Sequence, residues 1–261
     1  MKFFSRGKKK EGDKDFKLME DNQFASPNQL GRSAHFEWYA ETNVSSISGA
    51  EWIRNSAVSY LERVYSTYRD EILQIGEARH LPIRVVVRPS SSCQGGIGGA
   101  TGSGELSYCA GQWAPNQYCF GIIAHELCNL FTGENVSAGW PTAWWANHRS
   151  PFPTVIANRA MKKIVPQFYR SWGDYNDPLV VMFERLYSDF RGMFPRMFQK
   201  MRELGISLVG YEEPRLSHVI YYFMFYAAGR QLTNYFVSPP MPPINPAWIM
   251  ELERRYNLHV I

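Results

Sequence analysis

The 261-residue chain is predicted to be an α+β protein of two lobes, a mixed α/β front at 33–150 and an all-helical back at 151–261. Three observations predict it. "PIRVVVR" (82–88) is a β-branched run closed by Pro82 and Pro89, which is the pattern of a strand. Ile53, Ala57, Tyr60, Leu61, Val64, Tyr68 and Ile72 recur on one face at helical spacing. Beyond residue 155 every apolar pattern has the helical period.

Taken in order, residues 1–32 are polar and charged, with Lys8, Lys9, Lys10, Lys14 and Lys17 clustered at the front, and read as a solvated, mobile tail. "SAHFEWYA" (33–40) alternates like a strand. Ser48 stands three before Glu51, a capping box that opens the amphipathic helix running to about Gly76. The stretch "SSSCQGGIGGATGSGE" reads as a flexible connection. A phosphate cradle is excluded because threonine stands where a third glycine belongs and no lysine follows. "ELSYCAGQW" is the next strand. "QYCFGIIAHELCNLF" (117–131) is helical, with Ile123, Leu127, Leu130 and Phe131 as its apolar stripe and Gly133 closing it. Further helices are expected at 155–168, at 177–204 with a break near Gly192 and Pro195, at 214–234 and at 246–257.

With 45% hydrophobic and 15% aromatic residues the chain has ample material for a core. Net charge is +4 without a nucleic-acid motif, so no nucleic-acid partner is expected. The basic start lacks an apolar segment of a secretory signal, and the longest apolar run (218–228) falls short of the roughly 20 residues that cross a bilayer. A soluble protein is expected, with the cytoplasm favoured. Cys93, Cys109, Cys119 and Cys128 form no C-x-x-C pair, which argues against a structural zinc knuckle.

The stretch that carries chemistry is "AHELCNLFTGE" (124–134). Zinc hydrolases place two histidines four apart so that one helical turn aims both imidazoles at one ion, with the glutamate after the first directed at the metal-bound water. Here His125 and Glu126 occupy those places and Asn129 stands at the second histidine. Its amide oxygen is a neutral, hard donor that zinc accepts less readily than imidazole.

That helix, its order after a strand, a Gly-rich segment and a second strand, and the helical run beyond it resemble the gluzincin metallopeptidases over about residues 33–240. "WWANH" (144–148) is similar to the tryptophan-containing segment from which that family draws a further ligand. Aligning the tryptophans puts Asn147 at the ligand position, whereas counting from Asn129 puts His148 there. The resemblance implies a zincin-like fold and a Zn2+ ion held by His125, Asn129 and His148. Glu126 would activate water against a peptide bond, and Tyr222 or His218 would steady the oxyanion. A peptide or protein would be the substrate, its backbone added to the strand at 105–113. The alternative is a catalytically inactive zincin-like binding or scaffold protein that keeps the architecture alone.

Overall fold

The computed structural model describes residues 27–78, 80–93, 97–102, 104–135, 151–169, 177–208, 211, 214–236 and 242–260. The lysine cluster and the segment with Trp144, Trp145, Asn147 and His148 lie outside the described residues.

The front half is a five-stranded mixed sheet in the order β1-β2-β3-β5-β4. Strands β1 (Gln29–Arg32) and β2 (Phe36–Ala40) are antiparallel, so the sheet begins inside the stretch read as lead-in. Gly31 permits this: a Cβ there would stand 2.6 Å from Val58 Cγ2, too close for a side chain. β2 runs parallel to β3 (Ile83–Arg88), and β3 parallel to β5 (Glu105–Ala110). Val85, Val86 and Val87 are all buried because β3 is central and covered on both faces, which is why its sequence is a β-branched run.

The predicted amphipathic helix spans α1 (Ala50–Trp52), a π-turn (Ile53–Ala57), α2 (Val58–Thr67) and a second π-turn (Tyr68–Ile72). Every residue of its predicted apolar face is buried. The capping box does not form. The helix is entered through Gly49 at φ 88°, with no side-chain cap, because a Cβ at Gly49 would lie 2.0 Å from the Trp113 carbonyl oxygen. The Ser48 carbonyl is meanwhile taken by the Trp113 N–H at 2.9 Å.

The Gly-rich stretch is not a flexible loop. It holds a short 3-10 turn (Ser90–Cys93) and strand β4 (Ile97–Gly102), antiparallel to β5. β4 is therefore the edge strand, and β5, expected at the edge, is interior.

Helix α3 (Gln117–Asn135) starts at Asn116, whose Oδ1 accepts the N–H groups of Tyr118 and Cys119 at 3.0 Å each. It runs past Gly133, where a stop was expected. α4 (Pro151–Ile164) packs along it. The rest of the chain is helical as predicted: α5 (Pro178–Asp189), α6 (Met193–Glu203), α7 (Arg215–Ala228) and α8 (Pro246–Tyr256). The expected break falls at Gly192, at φ 77°. One buried core runs from Leu30 to Val260. No helix among the described residues is long and apolar enough to cross a membrane.

Candidate functional site

α3 is buried from Cys119 to Thr132, so each polar side chain inside that span needs a partner or a purpose. Thr132 is satisfied locally, its hydroxyl donating to the Cys128 carbonyl at 2.7 Å. The other buried polar side chains there are His125, Glu126 and Asn129, at 7%, 8% and 8% exposure. They are the residues singled out from the sequence, and one helical turn brings them together.

Three phenols fix the helix that carries them. The hydroxyls of Tyr60, Tyr108 and Tyr68 donate to the carbonyls of Phe120, Ile123 and Ala124 at 3.1, 3.1 and 2.9 Å. Burial drives the pKa of each phenol up, so all three remain neutral donors. The Glu126 charge is the next influence raising Tyr108, and it also raises the buried Cys128 thiol after burial itself.

Glu126 lies against the edge strand. A Cβ on Gly99 would meet Glu126 Cγ at 2.5 Å and Oε1 at 3.0 Å, so the glycine is what lets β4 cross the carboxylate. This explains the glycine at position 99 of that strand. The Asn129 amide donates through Nδ2 to Glu126 Oε2 at 3.4 Å. Its Oδ1 is buried and has no hydrogen-bond partner among the described residues.

His125 turns its Nδ1 toward the Thr154 hydroxyl on α4, 3.5 Å away. Burial pulls its pKa down to about 3, so the ring is neutral at physiological pH. Asn158 follows Thr154 by one helical turn on the same face of α4 and is also buried. Thr154, Asn158 and Gly99 were not singled out from the sequence. A detectable signal existed in "PFPTVIANRAM", where Thr154 and Asn158 stand four apart in a window whose one charged residue is Arg159.

The other expected residues have different places. Asn147 and His148 lie outside the described residues. Tyr222 and His218 are both hydrogen-bonded to the C-terminal segment. The Tyr222 hydroxyl donates to the Leu258 carbonyl at 2.9 Å. His218 binds the Pro214 carbonyl through Nδ1 at 2.7 Å and accepts the Asn245 N–H at Nε2, also at 2.7 Å. Its ring packs edge-on against Trp248.

A catalytic zinc takes three protein ligands, chiefly imidazole, thiolate or carboxylate. Among the described residues no three His, Cys, Asp or Glu side chains come together. The described site offers one imidazole, one carboxylate and one orphaned amide oxygen, a set that does not fit zinc by itself. Comparison with known proteins gives no match, whether to a family model, a curated protein or a solved structure.

Proposed function

We propose that this chain is a peptidase-like protein of zincin architecture that captures an extended polypeptide along the free edge of β4, beside His125 and Glu126. One observation carries the reading: β4, which among the described residues is the last strand of the sheet, crosses Glu126 of a buried His-Glu pair, with a glycine at the crossing. A peptide added to β4 gains main-chain hydrogen bonds and lies about 4.8 Å from that strand, within reach of Glu126. The pinned helix holds the His-Glu pair fixed while the polypeptide docks.

The residues divide the work without any further group. Gly99 admits the peptide backbone close to the carboxylate. Thr154 orients the His125 ring through Nδ1. The low pKa of His125 keeps that ring from carrying a proton near neutrality.

Zinc-dependent hydrolysis is the second reading, favoured by His125 and Glu126 standing in the order a metallopeptidase helix uses. It requires His148 or Asn147 to complete a donor set that the described residues leave short.

The test is direct. Fluorescence anisotropy with labelled extended peptides should detect binding that Gly99→Val abolishes while circular dichroism stays unchanged. Absence of peptide binding by the intact chain would remove the proposal. Cleavage products by mass spectrometry, together with about one bound zinc per chain lost in His125→Ala, would establish the second reading.

A further inference from the structure

We propose that the cleft between α6 and α7 binds a small organic oxyanion, its head on Arg196 and Lys200 and its carbon skeleton on the Tyr226 ring. This site shares no residue with β4 or α3, so its test is separate from that of strand capture.

The cleft follows from the pattern of α6. Phe194, Met197, Phe198 and Met201 turn into the core. That places Arg196, Gln199, Lys200 and Glu203, three and four apart, together on the outer face. With Tyr226 and Ala227 of α7 they line an open cleft of about 370 Å³. Pockets that hold small molecules begin near 300 Å³.

Arg196 supplies the anchor. Its Nε donates to the Ala227 carbonyl at 2.9 Å and its Nη1 to the Arg191 carbonyl at 3.5 Å. Two backbone oxygens thus hold the guanidinium in place without neutralising it. Among the described residues no carboxylate pairs with Arg196, and its Nη2 has no acceptor. A guanidinium in that state presents a planar donor edge that matches the paired oxygens of a carboxylate or phosphate. Being held in advance, it surrenders less freedom when a ligand arrives.

Charge selects the sign of the ligand. Arg196 and Lys200 bring two positive charges to the lining and Glu203 one negative. Glu203 is engaged from its own helix, by Lys200 Nζ at 2.5 Å and by Gln199 Nε2 at 3.0 Å. Both ends of the Lys200–Glu203 pair reach solvent, so the pair is weak and the three-donor ammonium can serve a second anion. A cationic ligand would meet Arg196 unshielded.

The skeleton is placed by Tyr226. Lys200 Nζ stands 5.8 Å from the centroid of this half-buried ring. An anion held by the ammonium therefore brings its attached carbons against an aromatic face. Inorganic phosphate can use the head site alone.

Calorimetric titration of the intact chain with phenyl phosphate, benzoate, inorganic phosphate and benzylamine tests this. At least one of the two ring-bearing anions should bind with a Kd below about 1 mM, and the tighter of them identifies the head group. Inorganic phosphate should bind at least roughly tenfold more weakly than phenyl phosphate, and benzylamine not at all. Arg196→Gln should weaken the anion about tenfold. Lys200→Met, whose partner is exposed, should weaken it about threefold with the melting temperature kept. Glu203→Gln should tighten it about threefold, because the competing carboxylate is gone, and a merely structural role would not produce that gain. Peptide binding at β4 should be the same in all three variants. Absence of binding by both ring-bearing anions, or binding that neither Lys200→Met nor Glu203→Gln alters, overturns the site. Inorganic phosphate or benzylamine binding as tightly as the ring-bearing anions overturns it as well.

Discussion

Among the described residues two histidines are deeply buried, and their surroundings differ in kind. His218 is 1% exposed, and short bonds to two backbone groups, the Pro214 carbonyl and the Asn245 N–H, fix its ring and tautomer. His125 meets the Thr154 hydroxyl at 3.5 Å, at the limit of a hydrogen bond, in a cluster of side chains with an orphaned acceptor. The first ring closes the space between two segments and is a staple. The second sits among the side chains of α3 and α4, with its neighbour Glu126 against β4. Sequence separates them only by the Glu126 and Asn129 that follow His125, since each is a histidine in an apolar helix.

The comparison is most strongly tested by removing the staple. His218→Leu leaves the Asn245 N–H without its partner and the Pro214 carbonyl with only the backbone N–H of residue 218, and should cost about 3 kcal/mol. Calorimetry should then show a melting temperature roughly 10 °C lower, with peptide binding retained at low temperature. A loss of binding in the folded variant would place His218 in the site after all.

Acid comes next. His125 has its pKa held near 3 in the folded chain against about 6.5 when unfolded, so the unfolded state takes up the proton first. Its contribution is therefore whole above pH 6.5 and is lost as pH falls toward 3. Between pH 6.5 and 5 it should remove about 2 kcal/mol of stability. Denaturant melts across that window should be flatter for His125→Gln than for the parent chain.

A smaller effect is expected at the crossing of strand and helix. Gly99→Ala pushes a methyl toward Glu126 Cγ and should destabilise by about 1–2 kcal/mol, while weakening peptide binding more than stability. The smallest belongs to Thr154→Val, isosteric and without its hydroxyl. Stability should change by under about 1 kcal/mol because the contact is long, and a several-fold drop in peptide affinity that Thr154→Ser restores would mark an orienting role.

What could be read in advance follows from which forces are local. The helix at 50–72, the β3 run and the back-half helices declare themselves by periodicity, because burial of one face is written into the spacing of residues. Ser48 and the Gly-rich stretch misled for a common reason. Ser48 has the right chemistry for a cap, but its carbonyl is claimed by Trp113, far along the chain. The Gly-rich stretch has loop composition, but it forms a strand because it must pass close to a helix side chain. Both outcomes depend on a long-range neighbour. His125, Glu126 and Asn129 were legible because one turn of helix defines them. Thr154 and Asn158 come from another helix, and their meaning appears only when α4 packs on α3. The Tyr222 and His218 assignments were drawn from resemblance, and long-range hydrogen bonds tie both residues to the C-terminal segment.

The phenolic clamps on α3 have a thermodynamic corollary. With its carbonyls anchored from two other elements, this rod has little slack to surrender when something binds. Docking should therefore carry a small entropic penalty on the protein's side, and calorimetric heat-capacity changes should report the area covered by the incoming chain more than any rearrangement of its host.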